Sequence, residues 1–92
     1  MSLRFEWDSA KATQNRTVHG VTFEEAATVF GDPLAVEILD QGHSISEERF
    51  LAIGRSSRGR LLVVVHLETL AIIRIISARL ATRLERESYE EA

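Results

Sequence analysis

Two short runs of apolar, largely β-branched residues, 61–65 (Leu-Leu-Val-Val-Val) and 72–76 (Ile-Ile-Arg-Ile-Ile), stand close together in this chain. Runs this short and this dense in Val and Ile read as strands buried on both faces, because a half-buried strand would alternate with polar residues. The connection between them has hairpin length, which makes them antiparallel neighbours at the centre of a sheet. One side chain in each run is foreign to an apolar core: His66 closes the first, and Arg74 lies between Ile73 and Ile75. A guanidinium in that position must reach a carboxylate, a carbonyl or solvent. Arg74 is therefore either half of a structural ion pair or an anion-binding group.

The remaining elements follow from local signals. Leu3, Phe5 and Trp7 alternate with Arg4 and Glu6, the pattern of a half-buried strand. Asp8 is placed to cap a helix over 9–19, and Gly20 to end it in a left-handed turn. This helix has few apolar residues, so it is expected on the surface of the sheet. Thr22 and Glu25 have capping-box spacing, Val21 and Ala26 staple spacing, and Phe23, Ala26, Ala27 and Phe30 form one apolar helical face. Gly31-Asp32-Pro33 stops this second helix, with Gly31 permitting a left-handed turn. Strands are expected over 34–39 and 48–54, separated by a polar loop at 40–44. In the second of these, Arg49, Leu51 and Ile53 face one way and Phe50 and Ala52 the other. Residues 55–59 form a basic turn flanked by Arg55, Arg58 and Arg60. Thr82 and Glu85 open a last helix reaching about Tyr89, with Glu90 and Glu91 fraying its end. The fold class is α+β: a single antiparallel sheet with two N-terminal helices and one C-terminal helix, in one domain over 1–92.

Composition narrows the function. There is no Cys, which removes disulfides, thiolate metal sites and cysteine nucleophiles. No run approaches the length of a membrane span, and the N-terminal stretch lacks the apolar core of a signal peptide, so the expected location is cytoplasmic, without a membrane partner. A net charge of −3 argues against a generally basic nucleic-acid binder, and no helix-turn-helix pattern supports a DNA-binding regulator acting alone. Yet every basic residue except Lys11 is arginine, the side chain that grips phosphate bidentately. His19, His43 and His66 lack ligand spacing to one another or to Asp and Glu, so no metal and no cofactor are expected.

Several motifs carry a resemblance: Phe5-Glu6-Trp7-Asp8 with Lys11-Ala12 and Asn15; His19-Gly20-Val21 with Phe23-Glu24-Glu25-Ala26; Phe30 with Asp32-Pro33; and Glu48-Arg49-Phe50 with Ile53-Gly54-Arg55. Gly59-Arg60-Leu61 follows, and the chain closes with Arg74-Ile75-Ile76-Ser77-Ala78-Arg79, Ala81-Thr82, Glu85-Arg86 and Tyr89. Together they resemble the BrnT family of toxins from bacterial type II toxin-antitoxin modules, over nearly the whole chain. The resemblance implies a RelE-like sheet-and-helix fold and a ribonuclease that inhibits translation and growth. It also implies a small cognate antitoxin with a ribbon-helix-helix part, and contact with operator DNA only through the toxin-antitoxin complex. The chain departs from the family pattern at Val18, at the Leu67-Glu68-Thr69-Leu70-Ala71 hairpin tip, and at Leu80, Leu84, Glu87 and Ser88. Each departure removes positive charge or adds apolar surface, which weakens a binding mode built on counterion release.

Metal-independent RNA cleavage needs a base for the 2′-hydroxyl proton, cations for the pentacovalent phosphate and an acid for the leaving oxygen. His19 suits the base or acid role; the alternative is a helix-terminal His bonded to a carbonyl. Arg74 and Arg79, joined by Arg55, are the candidate phosphate clamp, against salt bridges to Glu85, Glu48 or Asp8. Lys11 can add a phosphate contact and Tyr89 can stack on a base. Glu85 reads as the capping partner of Thr82 alone. The competing function is an interaction module, an antitoxin-binding corepressor without nuclease activity. The apolar tip at Leu67, Leu70 and Ala71, with Leu80 and Leu84, favours that reading and also a homodimer.

Overall fold

The computed structural model of the chain describes residues 3–40 and 48–91. Most of the loop read at 40–44, and His43 with it, lies outside the described residues. The elements are β1 (Arg4–Glu6), α1 (Ser9–His19), α2 (Phe23–Thr28) running into a 3-10 turn (Val29–Gly31), β2 (Val36–Leu39), β3 (Phe50–Arg55), β4 (Leu61–Thr69), β5 (Ile72–Leu80) and α3 (Arg83–Glu91). The α+β class and the element order are as expected. The five strands form one sheet in the order β1-β5-β4-β3-β2. It is mixed rather than purely antiparallel, because β1 lies parallel to β5, with Phe5 beside Ile73 and Glu6 beside Arg74. The crossover from β1 through the helices to the central hairpin is what allows a parallel edge.

Capping chemistry works much as the sequence implies. The Asp8 carboxylate accepts from the amides of Ala10 at 2.8 Å and Lys11 at 3.3 Å, and Gly20 closes α1 at φ 69°. Thr22 Oγ accepts from the Glu25 amide at 3.0 Å. The reciprocal half of that capping box is absent, because the Glu25 carboxylate turns instead to Ser56 and Arg60. Gly31 keeps an ordinary negative φ, and the chain leaves the helix through Asp32 in extended geometry. The Thr82–Glu85 box forms in full, with bonds of 2.8 and 3.3 Å.

The main core lies between the sheet and the first two helices. Val21, Phe23, Ala26 and Val29 meet Ala52, Leu62, Val64, Ile73, Ile75 and Ala78, with Phe5, Trp7 and Phe30 packed at its margin. Each large aliphatic or aromatic side chain buried there stabilises the fold by roughly 1.5–3 kcal/mol. A second, smaller cluster on the opposite face joins Ile53, Leu61 and Val63 to Leu51, Ala81 and Tyr89 of α3. The central strands are thus buried on both sides, as their β-branched runs require. The face assignment of β3 holds, with Ala52 in the first cluster and Ile53 in the second. Gly54 marks the closest approach of sheet and helical turn: a Cβ there would lie 2.9 Å from Val29 Cγ1 and 3.0 Å from Ala35 Cβ. Both central strands run past the apolar residues that signalled them, to Thr69 and Leu80. Among the described residues, no helix is long and apolar enough to cross a membrane.

Candidate functional site

The position of the arginines is set by a bulge. Along β4 and β5 the register passes from Val65 opposite Ser77 to His66 opposite Ile75, leaving Ile76 as an extra residue. Side chains alternate with period two, so residues five apart on a regular strand point to opposite faces. The bulge restores Arg74 and Arg79 to one face. Arg79 stands beside Val63 and Arg74 beside Leu67, both on the face that α3 partly covers. Arg55, beside Leu61, shares it.

Sharing a face is not convergence. Val63 and Leu67 are four residues apart on β4, so Arg74 and Arg79 are separated along the strand by roughly 13 Å. Each has its own partner. The Arg79 guanidinium forms a fork with Glu85, at 2.7 and 2.8 Å, which lowers the Glu85 carboxyl to about 2. Glu85 is therefore both cap and ion-pair partner, correcting the reading of it as a cap alone. Arg74 reaches Glu6 on β1 at 3.4 Å and is half exposed, an acidic partner other than the three expected. Arg55 lies over the Tyr89 ring at 5.8 Å and bonds the Gly59 carbonyl at 3.3 Å. Tyr89 does not present its ring as a free stacking platform: it packs against the second cluster and donates to Asp32 Oδ2 at 2.7 Å. Asp32 also accepts from the Arg55 amide at 2.8 Å, and these bonds hold its carboxyl below its ordinary range.

His19 and Lys11 enter from the other side of β5. The edge of β5 beyond the short β1 is covered by α1, whose Asn15 bonds the Ala78 backbone. Beside that contact lies a cleft of about 250 Å³ lined by Lys11, Gln14, Asn15, Val18 and His19 of α1 and by Ile76 and Ser77 of β5. Its floor is the bulge itself, between Arg74 and Arg79. The structure brings His19 and Lys11 to the stretch of β5 that both arginines flank; it leaves Arg55 and Tyr89 apart, at the α3 end.

Two constellations escaped the sequence reading. Glu25, almost fully buried, binds the Arg60 guanidinium and accepts from Ser56 Oγ at 2.7 Å, with Arg58 at 3.8 Å, tying α2 to the β3–β4 turn. Hydrogen bonding from Arg60 is the main cause of its lowered carboxyl pKa. The second corrects the statement that the histidines lack ligand spacing. His66 is fully buried, and its Nε2 lies 3.0 Å from Glu68 Oε2 and 3.8 Å from Glu37 Oε1. The signal was His66 and Glu68 two apart on a strand, hence on one face; Glu37 arrives only through sheet pairing. The hydrogen bond between Glu37 and Glu68, then burial, raises the Glu37 carboxyl to about 7, while the same bond lowers Glu68.

Among the described residues, three helices on a five-stranded sheet with one parallel edge define a small α+β protein. The chain is similar to the 1.1 Å crystal structure of the Brucella abortus ribonuclease toxin BrnT, with a TM-score of 0.67 over 89% of this chain and 100% of that one, at 20% identity. The family described as the ribonuclease toxin BrnT of type II toxin-antitoxin systems matches residues 7–85, and the chain belongs to that family. Membership implies an antitoxin partner. None of the curated proteins matches this sequence.

Proposed function

We propose that this protein is a metal-independent endoribonuclease toxin that slows growth by cutting RNA in the cytoplasm, with the cleft between α1 and the β5 bulge as its active site. The observation that carries this reading is the approach of His19 and Lys11 to Ile76 and Ser77, between Arg74 and Arg79. His19 takes or returns the 2′-hydroxyl proton. Lys11 faces the phosphate from the helix, while Arg74 and Arg79, which leave β5 on the opposite face, add charge to it only by parting from Glu6 and Glu85 and reaching round the strand. Arg79 must exchange part of its fork with Glu85 for phosphate. Arg55 and Tyr89 lie farther along the sheet and serve the incoming strand rather than the cleaved bond. A ribbon-helix-helix antitoxin silences the site, and the pair binds operator DNA through the antitoxin.

Growth after induction of this chain, alongside a folded Arg74→Ala/Arg79→Ala variant and a His19→Ala variant, tests the assignment. Arrest by the parent and not by the variants is expected, with purified protein cutting RNA in the presence of a chelator. Arrest by all three, or cleavage only with added metal, overturns it.

A second reading, a binding module without nuclease activity, is favoured by Leu70, which is fully exposed at φ 46°, and by exposed Leu80 and Leu84. These do not form one patch, since Leu70 lies in the turn before β5 and Leu80 is its last residue, roughly 25 Å away. The tip alone would make a homodimer contact. Light scattering of Leu70→Asp checks it: a shift to monomer supports the contact, and no shift removes it.

A further inference from the structure

We propose that Glu37, His66 and Glu68 form a binding site for a divalent transition ion of the zinc class, bridging the edge strand β2 to β4 on the helix-covered side of the sheet.

The geometry is that of a ligand set. One ligand atom from each residue lies within 4.8 Å of the other two. Tetrahedral zinc with Zn–N and Zn–O bonds near 2.0–2.2 Å sets its ligand atoms about 3.3 Å apart. The two distances from His66 Nε2, 3.0 Å to Glu68 and 3.8 Å to Glu37, bracket that value.

The imidazole is also oriented in advance. Phe30 meets it edge-on at 4.8 Å and Phe50 stacks on it at 5.8 Å. Its Nδ1 lies 3.3 Å from the Val64 carbonyl oxygen. With Nδ1–H donating to that carbonyl, the Nε2 lone pair faces the two carboxylates, the arrangement in which a histidine ligand is held by a backbone acceptor behind it. In that tautomer three acceptors face one another, and one ion between them satisfies all three at once.

Access and selectivity follow from burial and donor type. His66 is closed to solvent, but the Glu37 and Glu68 side chains are 44% and 37% exposed, so an ion enters from the carboxylate side and a water completes its shell. One imidazole with two carboxylates suits zinc and its neighbours over calcium or magnesium, which take all-oxygen shells. None of the three residues lines the proposed cleavage cleft, although His66 pairs with Ile75 beside the bulge. The ion would brace the β2 edge and leave the RNA chemistry unchanged.

Calorimetric titration of metal-free protein with Zn²⁺, paired with visible absorption on Co²⁺ addition, tests the site. One equivalent is expected to bind and to raise the melting temperature, with Co²⁺ bands of low coordination number. The isosteric Glu37→Gln/Glu68→Gln variant, whose side chains are partly exposed and whose fold is checked by circular dichroism, should bind at least about tenfold more weakly. Absence of stoichiometric binding overturns the proposal. Undiminished binding by the variant also overturns it, since the ion would then sit elsewhere, at His19 or His43. Neither outcome bears on RNA cleavage, which is read separately.

Discussion

Asn15 of α1 gives the backbone of Ala78 on β5 the two hydrogen bonds that a neighbouring strand would give: its Oδ1 accepts from the Ala78 amide at 3.0 Å, and its Nδ2 donates to the Ala78 carbonyl at 2.8 Å. The same Nδ2 donates to the Val21 carbonyl at 2.9 Å. A three-residue β1 cannot cover a nine-residue β5, and the edge it leaves open would carry unpaired groups. One buried amide closes that edge and holds α1 against it, fixing one wall of the proposed cleft.

Asn15→Ala should therefore be severe for a single substitution. It orphans one amide hydrogen and two carbonyls in a buried setting, and a loss of about 2–4 kcal/mol is expected in urea unfolding. Asn15→Asp, which keeps the acceptor and loses the donor, should lose stability as well.

Glu25→Ala leaves Ser56 Oγ and the Arg60 guanidinium without their shared acceptor beneath α2. Arg60 is about a third exposed and keeps its bond to the Gly20 carbonyl, so solvent screens part of the loss, and roughly 1–2 kcal/mol is expected by chemical denaturation. The Glu25→Ala/Arg60→Met double variant should recover part of it, since the uncompensated charge is then gone.

Acid should release α3 before the rest of the sheet. Glu85 ionises at about 2 when folded, against about 4.3 when unfolded. Its contribution is fully present above the unfolded value and is lost as pH falls from about 5 toward 2. Arg79 is more than a third exposed, so screening reduces the effect to roughly 1–2 kcal/mol. Glu85→Gln should flatten the decline in melting temperature over that window.

The same variant separates the two claims on Arg79. If Arg79 binds phosphate, removing the Glu85 charge should tighten RNA binding several-fold in a low-salt filter-binding assay while lowering stability. Unchanged or weaker affinity would confine Arg79 to its structural pair.

Gly54→Ala should disturb the packing of the sheet against the 3-10 turn. The added methyl meets Val29 Cγ1 at 2.9 Å and Ala35 Cβ at 3.0 Å, and overpacking of this kind costs about 1–3 kcal/mol. A lower melting temperature with unchanged circular dichroism at 20 °C is the expected result.

By itself the sequence determined which segments become helices and strands, because those signals are local. Asp8, Thr22 and Thr82 cap where their side-chain oxygens reach nearby amides, Gly20 ends α1, and the β-branched runs at 61–65 and 72–76 fill the central strands. The family motifs added the candidate residues. Tertiary structure decided their arrangement, because pairing depends on contacts far apart in the chain. The parallel placement of β1, the bulge at Ile76 that turns Arg74 and Arg79 to one face, and the passage of Glu25 from cap to the partner of Arg60 leave no local trace. The same is true of the meeting of Glu37 with His66 and Glu68, since β2 and β4 become near neighbours only when β3 lies between them.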